Sequence, residues 1–126
     1  MSSELSSRAL IVDDEEDMRF LVRSTIEAPN NGLSVAGEAA DGEEALERWR
    51  EDTPDIIVLD QRMPGITGIE VASRILAENP GQRIILFSAF LTDDLVHEAG
   101  RIGISTLSKD RFGSIPELMW RLASGA

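Results

Sequence analysis

Short, nearly unbroken apolar runs alternate with helix-period segments along the whole chain, and that alternation limits the architecture more than any other feature. The runs are "RALIV" (8–12), "LSVAGEA" (33–39), "DIIVLD" (55–60), "RIILFSA" (83–89) and "ISTLS" (104–108). The third and fourth are apolar at nearly every position, as strands buried on both faces must be. The second alternates, which suits a strand nearer an edge. Between the runs, apolar residues return at helical spacing. Met18, Leu21, Val22, Thr25 and Ile26 mark a first helix that stops before "APNNG". "DGEEALERWR" predicts a second helix, capped by Asp41 with a carboxylate three residues further on. Thr67 and Glu70 form a capping-box pattern ahead of a third, "TGIEVASRILAEN". "TDDLVHEAG" predicts a short fourth helix ending at Gly100, and Ser114 with Glu117 repeats the capping-box pattern ahead of a fifth, "SIPELMWRLA".

Five strand–helix units imply a parallel sheet with helices on both faces, joined by right-handed crossovers. The expected fold is therefore α/β, a flavodoxin-like doubly wound (βα)5 sandwich. The commonest strand order for five such strands is 2-1-3-4-5, which puts the ligand crevice between the first and third. At 126 residues the chain is expected to be a single domain over 1–126, with its core at about 7–123 and a short polar tail at 1–6.

All strands of a parallel sheet end on one edge, so the residues that follow them meet there. "DDEED" (13–17) follows the first strand, Asp60 ends the third, Ser88 ends the fourth and Lys109 follows the fifth. In the expected order those strands are neighbours, and carboxylates, a hydroxyl and an ammonium converge on one crevice. Two unit charges about 4 Å apart interact by about 4 kcal/mol at an effective dielectric near 20. Clustered carboxylates therefore call for a cation, and an all-oxygen cluster of this size suits Mg²⁺. Beside such an ion Asp60 becomes a nucleophile that would attack a phosphoryl group to give an aspartyl phosphate. The transferred group needs cationic and hydrogen-bonding partners, which Mg²⁺, Lys109 and Ser88 would supply. Taken singly, each residue has a plainer reading: Asp13 and Asp14 as acids at a helix start, Asp60 as a loop residue, Ser88 as a turn residue, Lys109 as a solvated cation. Their coincidence on one edge favours the site.

Composition excludes several classes. A formal net charge of −11 opposes non-specific nucleic-acid binding and adhesion to an anionic membrane. There is no cysteine, hence no disulfide, thiol nucleophile or thiolate metal site. No apolar run approaches a membrane span, and "MSSELSSRALIV" is not a secretory signal, so a cytoplasmic protein is expected.

"LIVDDE", "PDIIVLDQRMPGITGIE", "RIILFSA" and "ISTLSKD" together resemble the receiver domain of bacterial two-component response regulators, over about residues 7–123. The resemblance implies that Asp13 and Asp14 bind Mg²⁺, with Asp14 the closer ligand. It implies that Asp60 is the phosphoacceptor and a further ligand, and that Arg62 offers its backbone carbonyl to the metal. Ser88 and Lys109 would contact the phosphoryl group. The donor would be a sensor histidine kinase, a phosphotransfer domain or a small acyl phosphate. Apart from taking up and losing that group the domain would catalyse nothing. The added charge would draw Ser88 inward and shift a pre-existing equilibrium. The face made by the fourth helix, fifth strand and fifth helix would then report to an output domain, a protein partner or a second copy.

Three departures from the family pattern stand out. Asp110 follows Lys109 where a cis-linked proline is frequent, and a cis non-proline bond costs about 2.5–4 kcal/mol, so a trans bond is expected. The position of the usual switching aromatic holds Thr106, and Phe90, two residues past Ser88, is the candidate to replace it. Arg62 and Phe90 are both bulky where the family tunes hydrolysis, which predicts a long-lived phosphoryl group.

Other residues invite reading. His97, the one histidine, is expected to be a solvated helix residue. Trp49 keeps step with Ala45 and Leu46 and should pack on the sheet. On the last helix Ile115, Leu118, Met119 and Leu122 form the expected buried stripe, and Trp120 falls beside it as a candidate partner contact. Phe20 is off the first helix's stripe and is a candidate contact for the phosphodonor. The alternative to a phosphorylated switch is a receiver-like interaction module that works without phosphorylation, but all the acceptor residues are retained here. A phosphatase of the aspartyl-phosphate type needs an acid where Arg62 stands. A dinucleotide or flavin site needs a glycine-rich loop where "DDEED" stands.

Overall fold

The computed structural model describes residues 6–28 and 32–125. Most of the expected polar tail, part of "APNNG" and Ala126 lie outside them. The strands are β1 (Ser7–Val12), β2 (Leu33–Ala39), β3 (Ile56–Asp60), β4 (Arg83–Ser88) and β5 (Ser105–Ser108). The helices are α1 (Glu16–Glu27), α2 (Gly42–Asp52), α3 (Gly68–Glu78), α4 (Asp93–Ile102) and α5 (Ile115–Ala123). The strands form one sheet of order β2-β1-β3-β4-β5, parallel at every pairing. The flavodoxin-like expectation is met.

The alternation of side chains along each strand divides the core in two. Leu10, Val12, Ile57, Leu59, Ile84 and Leu86 pack against α2, α3 and α4. Ala9, Ile11, Ile56, Val58, Ile85 and Phe87 pack on the other face against α1 and α5. β3 is buried at all five of its positions. Removing its Ile56, Ile57, Val58 and Leu59 side chains from water contributes on the order of 6–12 kcal/mol, an upper figure because the unfolded chain already shelters some of them. That burial holds rigid the strand that ends in Asp60.

Register then assembles the edge. Val12 pairs with Leu59, Asp60 with Phe87, and Ser88 with Ser108. Asp13, one residue beyond Val12, is therefore level with Asp60, while Ser88 and Lys109 stand one and two residues beyond that level on the next two strands.

Capping chemistry explains where the helices start. Asp41 accepts from the Glu44 N–H at 2.8 Å, and Thr67 and Glu70 complete a reciprocal capping box. Three expectations need correction. α4 runs through Gly100 to Ile102, because Gly103, at φ 86°, supplies the left-handed cap. Ser114 and Glu117 form no capping box. Residues Lys109–Ser114 coil instead as 3-10 turns kinked at Arg111 (φ −107°, ψ 33°) and lead directly into α5, so Ser114 is already helical (φ −85°, ψ −4°) and caps nothing. Only Ile115 and Met119 of the α5 stripe are fully buried, whereas Leu118 and Leu122 are half-buried. Ser7, outside the expected first run, opens β1 and donates its N–H to Gly32 O at 3.0 Å.

Trp49 packs on the sheet as expected, with Nε1 donating to Gln82 Oε1 at 3.0 Å. His97 is exposed on α4. No helix among the described residues is long and apolar enough to cross a membrane.

Candidate functional site

The strand ends bring Asp13, Asp60, Ser88 and Lys109 together, all but Lys109 buried and Lys109 nearly so. Lys109 Nζ lies 2.8 Å from Asp13 Oδ2 and 3.2 Å from Asp60 Oδ1, so one ammonium bridges both buried carboxylates. The other Asp13 oxygen accepts the Glu15 N–H at 2.9 Å. Asp14 is exposed at the mouth, yet one oxygen from each of Asp13, Asp14 and Asp60 falls within 4.8 Å of the others. The crevice is a cavity of about 220 Å³ lined by Asp14, Glu15, Asp60, Arg62, Ser88, Ala89, Phe90 and Lys109.

The electrostatics follow from that packing. Burial, then the neighbouring Asp13 charge, pushes the Asp60 carboxyl up to about 6, against the pull of Lys109 and the Arg62 backbone N–H. Burial works against the Lys109 charge, but the hydrogen bonds and charges of Asp13 and Asp60 together outweigh it and hold its pKa above the ordinary value. The donor set is all oxygen, small and clustered at an open mouth, which fits a hard divalent ion such as Mg²⁺ that keeps several of its waters.

Two partners flank Asp60. The Ser88 hydroxyl is tied into its own loop: Phe90 N–H donates to Oγ at 3.3 Å, and Oγ lies 3.4 Å from the Phe90 carbonyl. The Arg62 side chain points over the Phe90 ring, 5.1 Å from its centroid. The Lys109–Asp110 bond is trans, as expected.

Other expected site residues sit apart from the crevice. Thr106 is half-buried on β5 opposite Leu86. Trp120 is half-buried and packs against the core beneath α5. Phe20 is 70% exposed on α1. Phe90, by contrast, lines the crevice although it is 64% exposed.

The family model for the response regulator receiver domain matches residues 9–114. The chain belongs to the response regulator receiver family. This receiver is 38% identical over 99 residues to the chemotaxis protein CheY of Thermotoga maritima, covering 79% of this chain and 81% of that one. It is 37% identical over 98 residues to the transcriptional regulatory protein LiaR of Bacillus subtilis, covering 75% of this chain but 46% of that one. Among solved structures, the receiver resembles the signal receiver domain of the putative response regulator NarL from Mycobacterium tuberculosis. The TM-score is 0.87 at 31% identity, covering 97% of this chain and 99% of that one. The response regulator domain of Thermotoga maritima CheB gives a TM-score of 0.84 at 32% identity, covering 96% and 98%.

Three contributors to the receiver's site escaped the sequence. Gln61, which looked like filler, ties the acceptor strand to α3: its carbonyl accepts the Gly68 N–H at 3.0 Å and its Oε1 accepts the Ile69 N–H at 2.8 Å. Gly68 lets α3 approach that closely, since a Cβ there would collide with the Asp60 carbonyl oxygen and lie 2.9 Å from Gln61 Cα. Arg19 on α1 donates from Nη1 to the Asp13 carbonyl at 2.8 Å. The glycine before an apolar helix was a usable signal; Gln61 and Arg19 gave none.

Proposed function

We propose that this receiver is a phosphorylation switch whose acceptor is Asp60, charged by a sensor histidine kinase, a phosphotransfer domain or a small acyl phosphate. The observation that carries this reading is the Lys109 ammonium seated between Asp13 and Asp60, with Asp14 at the mouth of the same crevice. Asp13, Asp14, Asp60 and the Arg62 backbone carbonyl would hold Mg²⁺, which supplies charge neutralisation to the phosphoryl oxygens.

The chain's own residues do the rest. An Asp60 carboxylate oxygen attacks phosphorus, forming an O–P bond. The donor's P–N or P–O bond breaks, and its electron pair leaves with the imidazole or carboxylate. Lys109 Nζ, already in place, turns from Asp60 toward the incoming anionic oxygens. The Ser88 hydroxyl trades its loop contacts to Phe90 for the phosphoryl group and draws the β4–α4 loop with it. That movement carries the signal to the α4, β5 and α5 face, where Thr106 and Trp120 lie. With Thr106 small, Phe90 is the aromatic coupled to Ser88. Phe20, standing out from α1, is a contact for the phosphodonor. Output passes to an attached domain, a protein partner or a second copy, within the cytoplasm.

The test is intact mass after incubation with acetyl phosphate and Mg²⁺, for the wild type and Asp60→Asn. One added phosphoryl group on the wild type alone is expected. Equal addition on both displaces Asp60 as acceptor. No addition on the wild type would leave an interaction module that works without phosphorylation.

A further inference from the structure

Arg19, on α1, does not line the crevice but bonds the backbone of the acidic turn. Its Nη1 donates to the Asp13 carbonyl at 2.8 Å, and its Nε donates to Glu38 Oε1 at 3.1 Å. Glu38, on β2, is in turn held from the other side by Arg23 Nε at 2.7 Å. The Arg19 side chain is 17% exposed, so this is a sheltered, charge-assisted clamp rather than a loose surface pair.

The clamp completes Asp13. Its N–H bonds the Ala39 carbonyl at 3.0 Å, its carboxylate bonds the Glu15 N–H and Lys109, and its carbonyl bonds Arg19. That carbonyl belongs to the peptide joining Asp13 to Asp14. Fixing its oxygen fixes the peptide plane, and the plane sets where the exposed Asp14 carboxylate begins. Residues that orient ligands from behind a metal typically govern affinity as strongly as some ligands do.

We propose that Arg19 is a positioning residue of the divalent-metal site, locking the Asp13–Asp14 peptide so that both carboxylates are aimed before the ion arrives. This rests on the reading of Asp13, Asp14 and Asp60 as metal ligands. The plain alternative is that Arg19 only joins α1 to β2 through Glu38.

Calorimetric titration of the folded chain with Mg²⁺ separates the two. Arg19→Met keeps the apolar stem in place and removes only the head. It is expected to raise the Mg²⁺ Kd by about tenfold. In phosphorylation by acetyl phosphate the half-saturating Mg²⁺ should rise by the same factor, while the rate at saturating Mg²⁺ stays within about twofold. Glu38→Gln cuts the α1–β2 ion pair but leaves the Arg19 bond to Asp13, and should raise Kd by less than about threefold. If Arg19→Met does not fold, Arg19→Lys decides, because an ammonium cannot replace the two-pronged contact; it should raise Kd at least about threefold. A Kd within twofold of wild type in the folded arginine variant overturns the proposal, as does a Glu38→Gln loss equal to that of Arg19→Met. Failure of the wild type to bind Mg²⁺ overturns the metal-site reading itself and this inference with it.

Discussion

The Arg62 guanidinium lies 5.1 Å from the centroid of the Phe90 ring, and the two side chains both line the crevice that holds Asp60. A cation over an exposed aromatic contributes about 0.5–1 kcal/mol, enough to hold this pair together at the crevice, where on the proposed reading it would flank the path of the water that attacks the phosphoryl group. Phe90→Ala and Arg62→Ala are each expected to hasten loss of the phosphoryl group from Asp60 by about two- to fivefold, since about 1.4 kcal/mol is a factor of ten in rate. Because the two act together, the double variant should exceed the faster single variant only slightly. Intact mass followed over time after donor removal gives the half-life; an unchanged half-life in both single variants refutes the flanking role.

Lys109 stands between two carboxylates that are otherwise sheltered from water. Lys109→Met leaves them facing each other uncompensated, and breaking such a buried arrangement costs about 3 kcal/mol. The deficit should be largest near neutral pH in chelator. It should shrink as pH falls through about 6 and Asp60 takes up its proton. Urea unfolding at several pH values measures it, and a deficit that does not vary with pH contradicts the account.

Asp60 itself opposes folding at neutral pH. Its carboxyl is raised from 3.8 to about 6 in the folded protein. Folding therefore favours the protonated form. Its contribution is full below the unfolded value and is lost as pH rises through about 6. Asp60→Asn, which cannot ionise, should be more stable than wild type by about 1–2 kcal/mol at pH 7 to 8 without metal, part of the gain being lost with the Lys109 contact. The advantage should fade between about pH 6 and pH 4. Chemical denaturation in chelator across that range tests the sign; a variant less stable than wild type at pH 8 would falsify it.

Two glycines make opposite predictions. A methyl group at Gly68 meets the Asp60 carbonyl oxygen and the Gln61 backbone, which cannot yield like a flexible side chain. Gly68→Ala should cost about 2 kcal/mol or more and slow phosphorylation by displacing Asp60. Gly100 lies exposed within α4 with nothing within 4 Å of an added Cβ. Gly100→Ala should stabilise the protein by about 0.5 kcal/mol. Thermal melts of both variants settle the matter, and similar effects at the two sites would count against this account of α3 packing.

The strands were legible because burial on both faces writes itself as unbroken apolar runs, and "DIIVLD" with "RIILFSA" left no other reading. The edge residues followed, since parallel strands share one edge and Asp13, Asp60, Ser88 and Lys109 each stand where a run stops. Helix ends were harder. Gly100 looked like a stop because an exposed helical glycine costs only about 1 kcal/mol and leaves no mark of being tolerated, while Gly103 made the actual cap. Ser114 was the right residue type three positions before Glu117, but the 3-10 segment after Lys109 had already started the helix. The bonds from Gln61 to Ile69 and from Arg19 to Glu38 and the Asp13 carbonyl were beyond reach, because they depend on how α1 and α3 lean on the sheet.

The Lys109–Asp13 bond joins residues 96 apart in the chain, and Asp60 meets the same ammonium from the middle of it. No partly built molecule owns this site: until the fifth strand has docked, Asp60 lacks the one cation that, among the described residues, pairs with it. With Asp60 as the proposed acceptor, readiness to accept a phosphoryl group would be a certificate of finished folding, and a kinase that charged this protein would, in the same act, have inspected it.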